Sequence, residues 1–131
     1  MSSTRCPCLS GLIYGECCGR LHRGEVTATT AVELMRSRFS AFAISDAGYL
    51  LRTWHPRTRP PSLQLDPGIR WYRLDVISTT GGGLLDDDGT VEFRAHYREA
   101  AGSTARQADV QQENSRFQRV DREWYYLDAE G

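Results

Sequence analysis

The stretch Val91-Glu92-Phe93-Arg94-Ala95-His96-Tyr97 alternates strictly between apolar and polar side chains. A period of two residues sends successive side chains to opposite faces of a β-strand. We therefore predict a half-buried strand, in which the apolar residues face a core and the polar residues face solvent. This segment is the clearest strand of the chain.

Three further strands are predicted around this one, at residues 70–76, 110–120 and 124–128. In the first of them Tyr72, Leu74 and Val76 alternate with charged residues, so these three side chains are expected to face inward. A turn rich in glycine and aspartate, residues 81–89, joins that strand to the central one. The order of the segments predicts an antiparallel meander.

A helix is predicted before the strands, beginning at Ala31. Thr30 and Glu33 have the spacing of a capping box, in which the two side chains bond to backbone N–H groups at the start of a helix. Its apolar residues recur every three or four positions and mark one buried stripe: Val32, Met35, Phe39 and Phe42. On this pattern Arg38 is assigned to the opposite, exposed side.

A second, shorter helix follows, capped by Ser45 or Asp46, and must end before Pro56. Its expected apolar stripe is Ala47, Leu50, Leu51 and Trp54. Helices followed by an antiparallel meander indicate an α+β fold. With 131 residues, 40% of them hydrophobic and 25% charged, the chain has the size and composition of one globular domain.

All four cysteines, Cys6, Cys8, Cys17 and Cys18, lie in an N-terminal segment that has no period long enough to bury a face. Four thiolates from so short a loop can surround one ion, and tetrahedral sulfur coordination favours zinc. Because protein ligands fill every position, such a site is structural and not catalytic. Two alternatives remain open: redox-active or unligated cysteines, and His22 in place of one cysteine.

Location and partner class follow from charge and hydropathy. No stretch approaches the roughly 18 apolar residues of a membrane span, and residues 1–8 lack the apolar run of a signal peptide, so a cytoplasmic protein with no membrane contact is expected. Thiols stay reduced there, which favours metal binding over disulfides. A net charge of −1 argues against a nucleic-acid partner.

Two known patterns are visible in the sequence. Residues 6–19, Cys-Pro-Cys-Leu-Ser-Gly-Leu-Ile-Tyr-Gly-Glu-Cys-Cys-Gly, resemble the SEC-C motif, a zinc knuckle named from the C-terminus of the translocation ATPase SecA, with Leu9 where the motif normally has glycine. Five further stretches resemble the uncharacterised bacterial YchJ family: 34–42 (LMRSRFSAF), 49–56 (YLLRTWHP), 91–97 (VEFRAHY), 113–117 (ENSRF) and 124–126 (WYY).

This resemblance implies two parts. Residues 1–24 would form a SEC-C-like zinc knuckle, and residues 27–131 a cone-shaped α+β domain like nuclear transport factor 2. In that fold helices close one side of a curved antiparallel sheet of about four strands. We expect the second part to keep its core without the first.

Polar residues interrupt the apolar face of the third strand. If Phe117 points inward, a period of two places Ser115 and Glu113 inward as well. A buried carboxylate needs a partner, and Arg36 or His55 is expected to supply it. We therefore predict a cavity with these candidate residues: Arg36, Trp54, His55, Glu113, Ser115 and Phe117. Resemblance to the cone fold implies a small-molecule ligand there.

Two functions are carried forward. The first is an interaction or scaffold protein whose knuckle docks a protein partner, by resemblance a translocation or ribosome-associated factor, while the cone domain offers a ligand pocket. The second is a small enzyme in which Glu113 acts as general base with His55 or Arg36. A sealed, ion-paired Glu113 favours the scaffold, and an open cavity favours the enzyme.

Overall fold

The computed structural model describes residues 4–99 and 108–130. Its elements in chain order are a 3-10 turn at Tyr14–Glu16, helices α1 (Cys18–His22), α2 (Ala31–Ile44) and α3 (Ala47–Arg52), and strands β1 (Ile69–Gly81), β2 (Asp88–Glu99), β3 (Ala108–Val120) and β4 (Glu123–Glu130). The four strands form one antiparallel sheet in the order β1-β2-β3-β4. The predicted α+β fold is confirmed. In the described part of the chain no helix is long and apolar enough to cross a membrane.

Both predicted helix starts are capped by side chains. The Thr30 hydroxyl accepts the Glu33 N–H at 3.1 Å, while the Glu33 carboxylate accepts the N–H of Thr29 at 2.7 Å, one residue before the expected partner. For α3 the cap is Asp46, whose carboxylate accepts the Tyr49 N–H at 3.0 Å. These bonds satisfy backbone donors that have no partner within the helix.

The core lies where α2 packs against one face of the sheet. Val91, Phe93 and Ala95 of β2 are all buried, as their alternation predicts. They pack in one cluster with side chains from the helices and the later strands, among them Leu34, Phe39, Leu50, Phe117 and Trp124. Burying each large apolar side chain contributes about 1.5–3 kcal/mol.

The inward placement of Tyr72 in β1 was wrong, because a β-bulge interrupts the alternation. The register shifts between Trp71 and Arg73, and a bulge inserts one extra residue into a strand. Trp71 and Leu74 therefore pack against the core, whereas Tyr72 is 39% exposed. The Tyr72 ring instead lies under the guanidinium of Arg98 on β2, 4.7 Å away.

The assignment of Arg38 to the exposed side of α2 was also wrong. Arg38 is only 3% exposed. It follows Met35 by three residues and precedes Phe42 by four, so helical spacing places it on the buried face. Its Nη1 donates to the carbonyl of Leu50 at 2.8 Å and to the hydroxyl of Thr53 at 2.7 Å, which ties α2 to the end of α3.

The N-terminal segment packs directly on α2 and α3. Leu21 of α1 is buried within the main hydrophobic core. Arg52 of α3 donates from Nη2 to the carbonyls of Leu21 and His22, at 3.3 and 3.1 Å. The division into parts 1–24 and 27–131 stays a prediction. The contacts of Leu21 and His22 join residues of the first part to residues of the second.

Candidate metal centre and cavity

Cys6, Cys8, Cys17 and Cys18 converge at one point. Their sulfur atoms all lie within 4.8 Å of one another, and the sulfurs of Cys8 and Cys17 are 3.5 Å apart. Thiolates placed tetrahedrally about 2.3 Å from one ion are about 3.8 Å from each other. The donor set and its spacing therefore fit a single tetrahedral ion.

The loop between the two cysteine pairs is built from tight turns. Leu9 has φ +65° and Gly11 has φ +92°, both in the left-handed region. Leucine pays about 1–2 kcal/mol for that conformation, which explains the motif's glycine at this position. The Cys6 N–H donates to the carbonyl of Leu12 at 2.9 Å and closes the loop.

Hydrogen bonds around the sulfurs polarise the cluster. Cys6, Cys8 and Cys18 are buried. Hydrogen bonds from the Cys18 and Cys8 thiols hold the pKa of Cys6 well below its usual range, and the bond with Cys6 is the largest cause that raises the pKa of Cys18. A divalent cation binds the thiolate form of cysteine, so its binding would release the protons of these thiols.

Two serine hydroxyls support the sulfurs from outside the cluster. Ser10 Oγ lies 3.1 Å from the sulfur of Cys17, and Ser40 Oγ of α2 lies 3.5 Å from the sulfur of Cys6. Such outer hydrogen bonds orient metal ligands and offset their charge. Through Ser40 the cluster contacts the helix that also bounds the cavity.

His22 stands beside the cysteines with both ring nitrogens engaged elsewhere. Nε2 lies 2.8 Å from the carbonyl of Ser37, which can only accept, so Nε2 carries the proton. Nδ1 then accepts from the hydroxyl of Tyr14 at 2.5 Å. The ring also packs on Tyr49, with centroids 4.4 Å apart. Through these contacts His22 joins the knuckle to α2.

A cavity of about 210 Å³ lies between α2 and the sheet. Its wall is mostly aromatic: Phe39, Phe42, Trp54, Trp71, Phe93 and Tyr126. Arg38, Gln111 and Glu113 are its charged or amide residues. Gln111 is exposed and Arg38 is buried, so the cavity runs from solvent toward a buried charge.

Glu113 lines this cavity, as the period of β3 predicts. Its carboxylate accepts the Ser115 hydroxyl at 2.7 Å and the Gln111 side-chain amide at 3.3 Å. Ser115 is buried on the same sheet face without lining the cavity. Phe117 also lies outside the lining, packed edge-on against Tyr126 with centroids 5.9 Å apart.

The two partners expected for Glu113 are not in the lining of the cavity. His55 lies 2.8 Å through Nε2 from the side-chain oxygen of Gln118, and Arg36 does not line the cavity. The cation that faces Glu113 is Arg38, whose charge interacts with the carboxylate. Its helical spacing relative to Met35 was the sequence signal that would have identified it.

The family model described as "YchJ, middle NTF2-like domain" matches residues 30–129. This chain belongs to the YchJ family. A UPF0225 protein of Corynebacterium glutamicum is 54% identical over 122 residues, 93% of each chain. A UPF0225 protein of Streptomyces coelicolor is 51% identical over 130 residues, covering 99% of this chain and 98% of its own.

Two solved structures share the fold of this YchJ-family chain. The solution structure of a SEC-C motif containing protein from Rhodopseudomonas palustris superposes with a TM-score of 0.79 at 30% identity, covering 96% of this chain and 97% of its own. The crystal structure of a SEC-C motif containing protein from Psychrobacter arcticus gives 0.74 at 27% identity, covering 94% and 80%. These likenesses extend across nearly the whole chain.

The position of His22 in this YchJ-family chain leads to a test of its role. His22→Ala removes two hydrogen bonds and a ring contact, so we expect a loss of about 2 kcal/mol in the free energy of unfolding with unchanged metal content. Chemical denaturation with metal analysis measures both quantities. Glu25→Ala, just after the same helix, is the control, because it removes only an exposed ion pair. A matching loss of metal would instead make His22 a ligand.

Proposed function

We propose that this YchJ-family chain is a cytoplasmic zinc-binding interaction or scaffold protein. The observation that carries the proposal is the convergence of four sulfurs within 4.8 Å. Zinc suits four thiolates at tetrahedral spacing, and a site with four protein ligands has no open position for a reactive water. Its role is therefore structural. Reduced thiols, as the cytoplasm maintains them, are the form that such a site requires.

The turn that closes the knuckle is proposed as the docking surface for a protein partner. Leu9 and Leu12 are 58% and 49% exposed there, beside the buried sulfurs. The ion would hold this turn in one shape and keep both leucines at the surface. Exposed leucines on a rigid turn offer an apolar contact that a protein partner can bury.

The cavity is proposed as a small-molecule site that accompanies the scaffold role. Its aromatic lining, with a few polar groups at one end, supports this part of the proposal. The enzyme alternative gains one supporting observation, since Glu113 lines a cavity that reaches solvent. It loses its proposed acid partner, because His55 is bonded to Gln118 outside the lining.

Metal analysis of reduced, purified protein tests the proposal. Native mass spectrometry is expected to show one zinc ion per chain that a chelator removes. Cys17→Ser should lower zinc affinity sharply, whereas Ser10→Ala, which leaves all four ligands in place, should bind one ion less tightly by about 10-fold. Disulfides, a red iron-containing protein, or failure to take up supplied zinc would each contradict the assignment.

A further inference from the structure

Arg38 is a buried cation without a carboxylate partner. Its direct acceptors, the carbonyl of Leu50 and the hydroxyl of Thr53, are both neutral. The ion pairs found in the described residues do not include it. Burial lowers the pKa of Arg38 to about 10. A buried charge of this kind is costly unless something compensates it.

Aromatic rings compensate part of that charge and leave hydrogen-bond donors over. The guanidinium carbon of Arg38 lies 4.6 Å from the ring centre of Tyr126 and 5.4 Å from that of Trp54. Both of its hydrogen bonds, to Leu50 and Thr53, are donated from Nη1. Among residues 4–99 and 108–130, no acceptor lies within hydrogen-bond distance of Nε or Nη2. The indole N–H of Trp54 is likewise buried and has no described partner.

Glu113 does not supply the missing acceptor. Its carboxylate already accepts hydrogen bonds from Ser115 and Gln111. Its charge also helps to raise the pKa of Tyr126 to about 12, after the larger effect of burial. Nε and Nη2 of Arg38 and the indole N–H of Trp54 therefore have no described acceptor, next to a positive charge that Glu113 and the aromatic rings compensate only in part.

We propose that the cavity binds a small aromatic carboxylate, whose carboxylate group pairs with Arg38 and the Trp54 N–H while its ring packs among Phe39, Phe42 and Phe93. A cavity of about 150 Å³ is large enough for benzene, so about 210 Å³ accommodates one ring with a carboxylate. This inference rests on the proposed small-molecule role of the cavity and names its ligand class.

Benzoate is the probe, and the indole N–H signals are the readout. The chain has three tryptophans, and the Trp124 N–H donates to the carbonyl of Thr29 at 3.2 Å, away from the cavity. In nitrogen-15 NMR titrations of the full chain, we expect benzoate to shift the Trp54 signal and leave that of Trp124 in place. Benzamide, which has nearly the same shape but no charge, and benzylamine, which is a cation at neutral pH, should bind at least about 10-fold more weakly.

Four variants separate charge recognition from simple filling of the cavity. Arg38→Met should weaken benzoate binding by about 10- to 100-fold. Trp54→Phe should reduce the preference for benzoate over benzamide, whereas Trp71→Phe, which trims another ring of the same cavity, should leave that preference unchanged. Glu113→Gln removes a nearby negative charge and should tighten benzoate binding by about 3- to 10-fold. If Arg38→Met fails to fold, the effect of Glu113→Gln on benzoate binding still tests whether the cavity recognises negative charge.

Two results would overturn the inference. The first rejects only the ligand class, and the second also rejects the proposed small-molecule role of the cavity. Equal affinity for benzoate and benzamide, unchanged in Glu113→Gln, would reject the carboxylate and leave the cavity as a site for neutral molecules. Absence of any shift in the cavity signals with all three probes would reject the small-molecule role as well. Neither result bears on the metal centre.

Discussion

Removal of the proposed metal ion is expected to destabilise the whole chain and not only residues 1–24. Leu21, just after the cysteines, lies in the main core. Arg52 donates to the Leu21 carbonyl, and the His22 ring bonds to the Ser37 carbonyl. Losing a buried leucine costs about 1.5–3 kcal/mol, and each lost hydrogen bond costs about 1 kcal/mol. We therefore expect chelation to lower the free energy of unfolding by about 3–5 kcal/mol.

Calorimetry of the full chain with and without a chelator measures this effect. A loss of that size in a domain of this length should lower the melting temperature by roughly 10–15 °C, within a single transition. Cys17→Ser is expected to reproduce the shift without chelator. The matched control is Leu12→Ser, which changes an exposed residue of the same loop and no ligand.

Two separate transitions would contradict this expectation. If the larger one kept its temperature after chelation, residues 27–131 would fold without the knuckle, as the sequence alone led us to expect. Leu21 and Arg52 would then contribute little despite their position. Hydrogen exchange at the α2 amides would show the same distinction residue by residue.

Local patterns explain which parts of the fold were predictable. The strict alternation of β2, the Thr30 cap and the four clustered cysteines each depend on neighbours within a few residues, and each was confirmed as an arrangement in space. Period alone also placed Glu113 on the inner face of β3. Such features follow from backbone geometry, which the sequence states directly.

Features set by distant contacts were not predictable in the same way. The bulge after Trp71 depends on pairing with β2, and no local signal marks it. The docking of Leu21 and His22 on α2 requires knowledge of the tertiary packing. Arg38 is a different case. Its helical spacing from Met35 and Phe42 indicated the buried face, and only the general rule that charged side chains are exposed argued for the other face. Exceptions to that rule concentrate at functional sites.

Helix α2 connects the two candidate sites. Ser37 and Ser40 contact the knuckle, while Arg38, Phe39 and Phe42 line the cavity. Successive residues of one helix thus face the cysteine cluster and the cavity. Whatever holds α2 in place therefore holds both sites, and its N-terminal end is held by the hairpin between β1 and β2.

Gly82→Ala is expected to disrupt that attachment. The Gly82 carbonyl accepts the N–H of Ala31, the first residue of α2, at 3.0 Å. Gly82 has φ +74°, and a Cβ added there would lie 2.7 Å from the Cβ of Ala31. The left-handed backbone costs a non-glycine residue about 1–2 kcal/mol, and overpacking adds about 1–3 kcal/mol. We expect a total loss of about 2–4 kcal/mol in the free energy of unfolding.

Urea denaturation of Gly82→Ala beside Gly83→Ala tests this expectation. At Gly83 the nearest atom to an added Cβ is a carboxylate oxygen of Asp86, 3.3 Å away at the end of a flexible side chain, so that variant should lose under about 1 kcal/mol. Equal losses in the two variants would show that general hairpin flexibility matters and the close approach to Ala31 does not. A large loss confined to Gly82→Ala would instead mean that α2, and with it the knuckle contacts and the Arg38 face of the cavity, depends on one glycine in the hairpin.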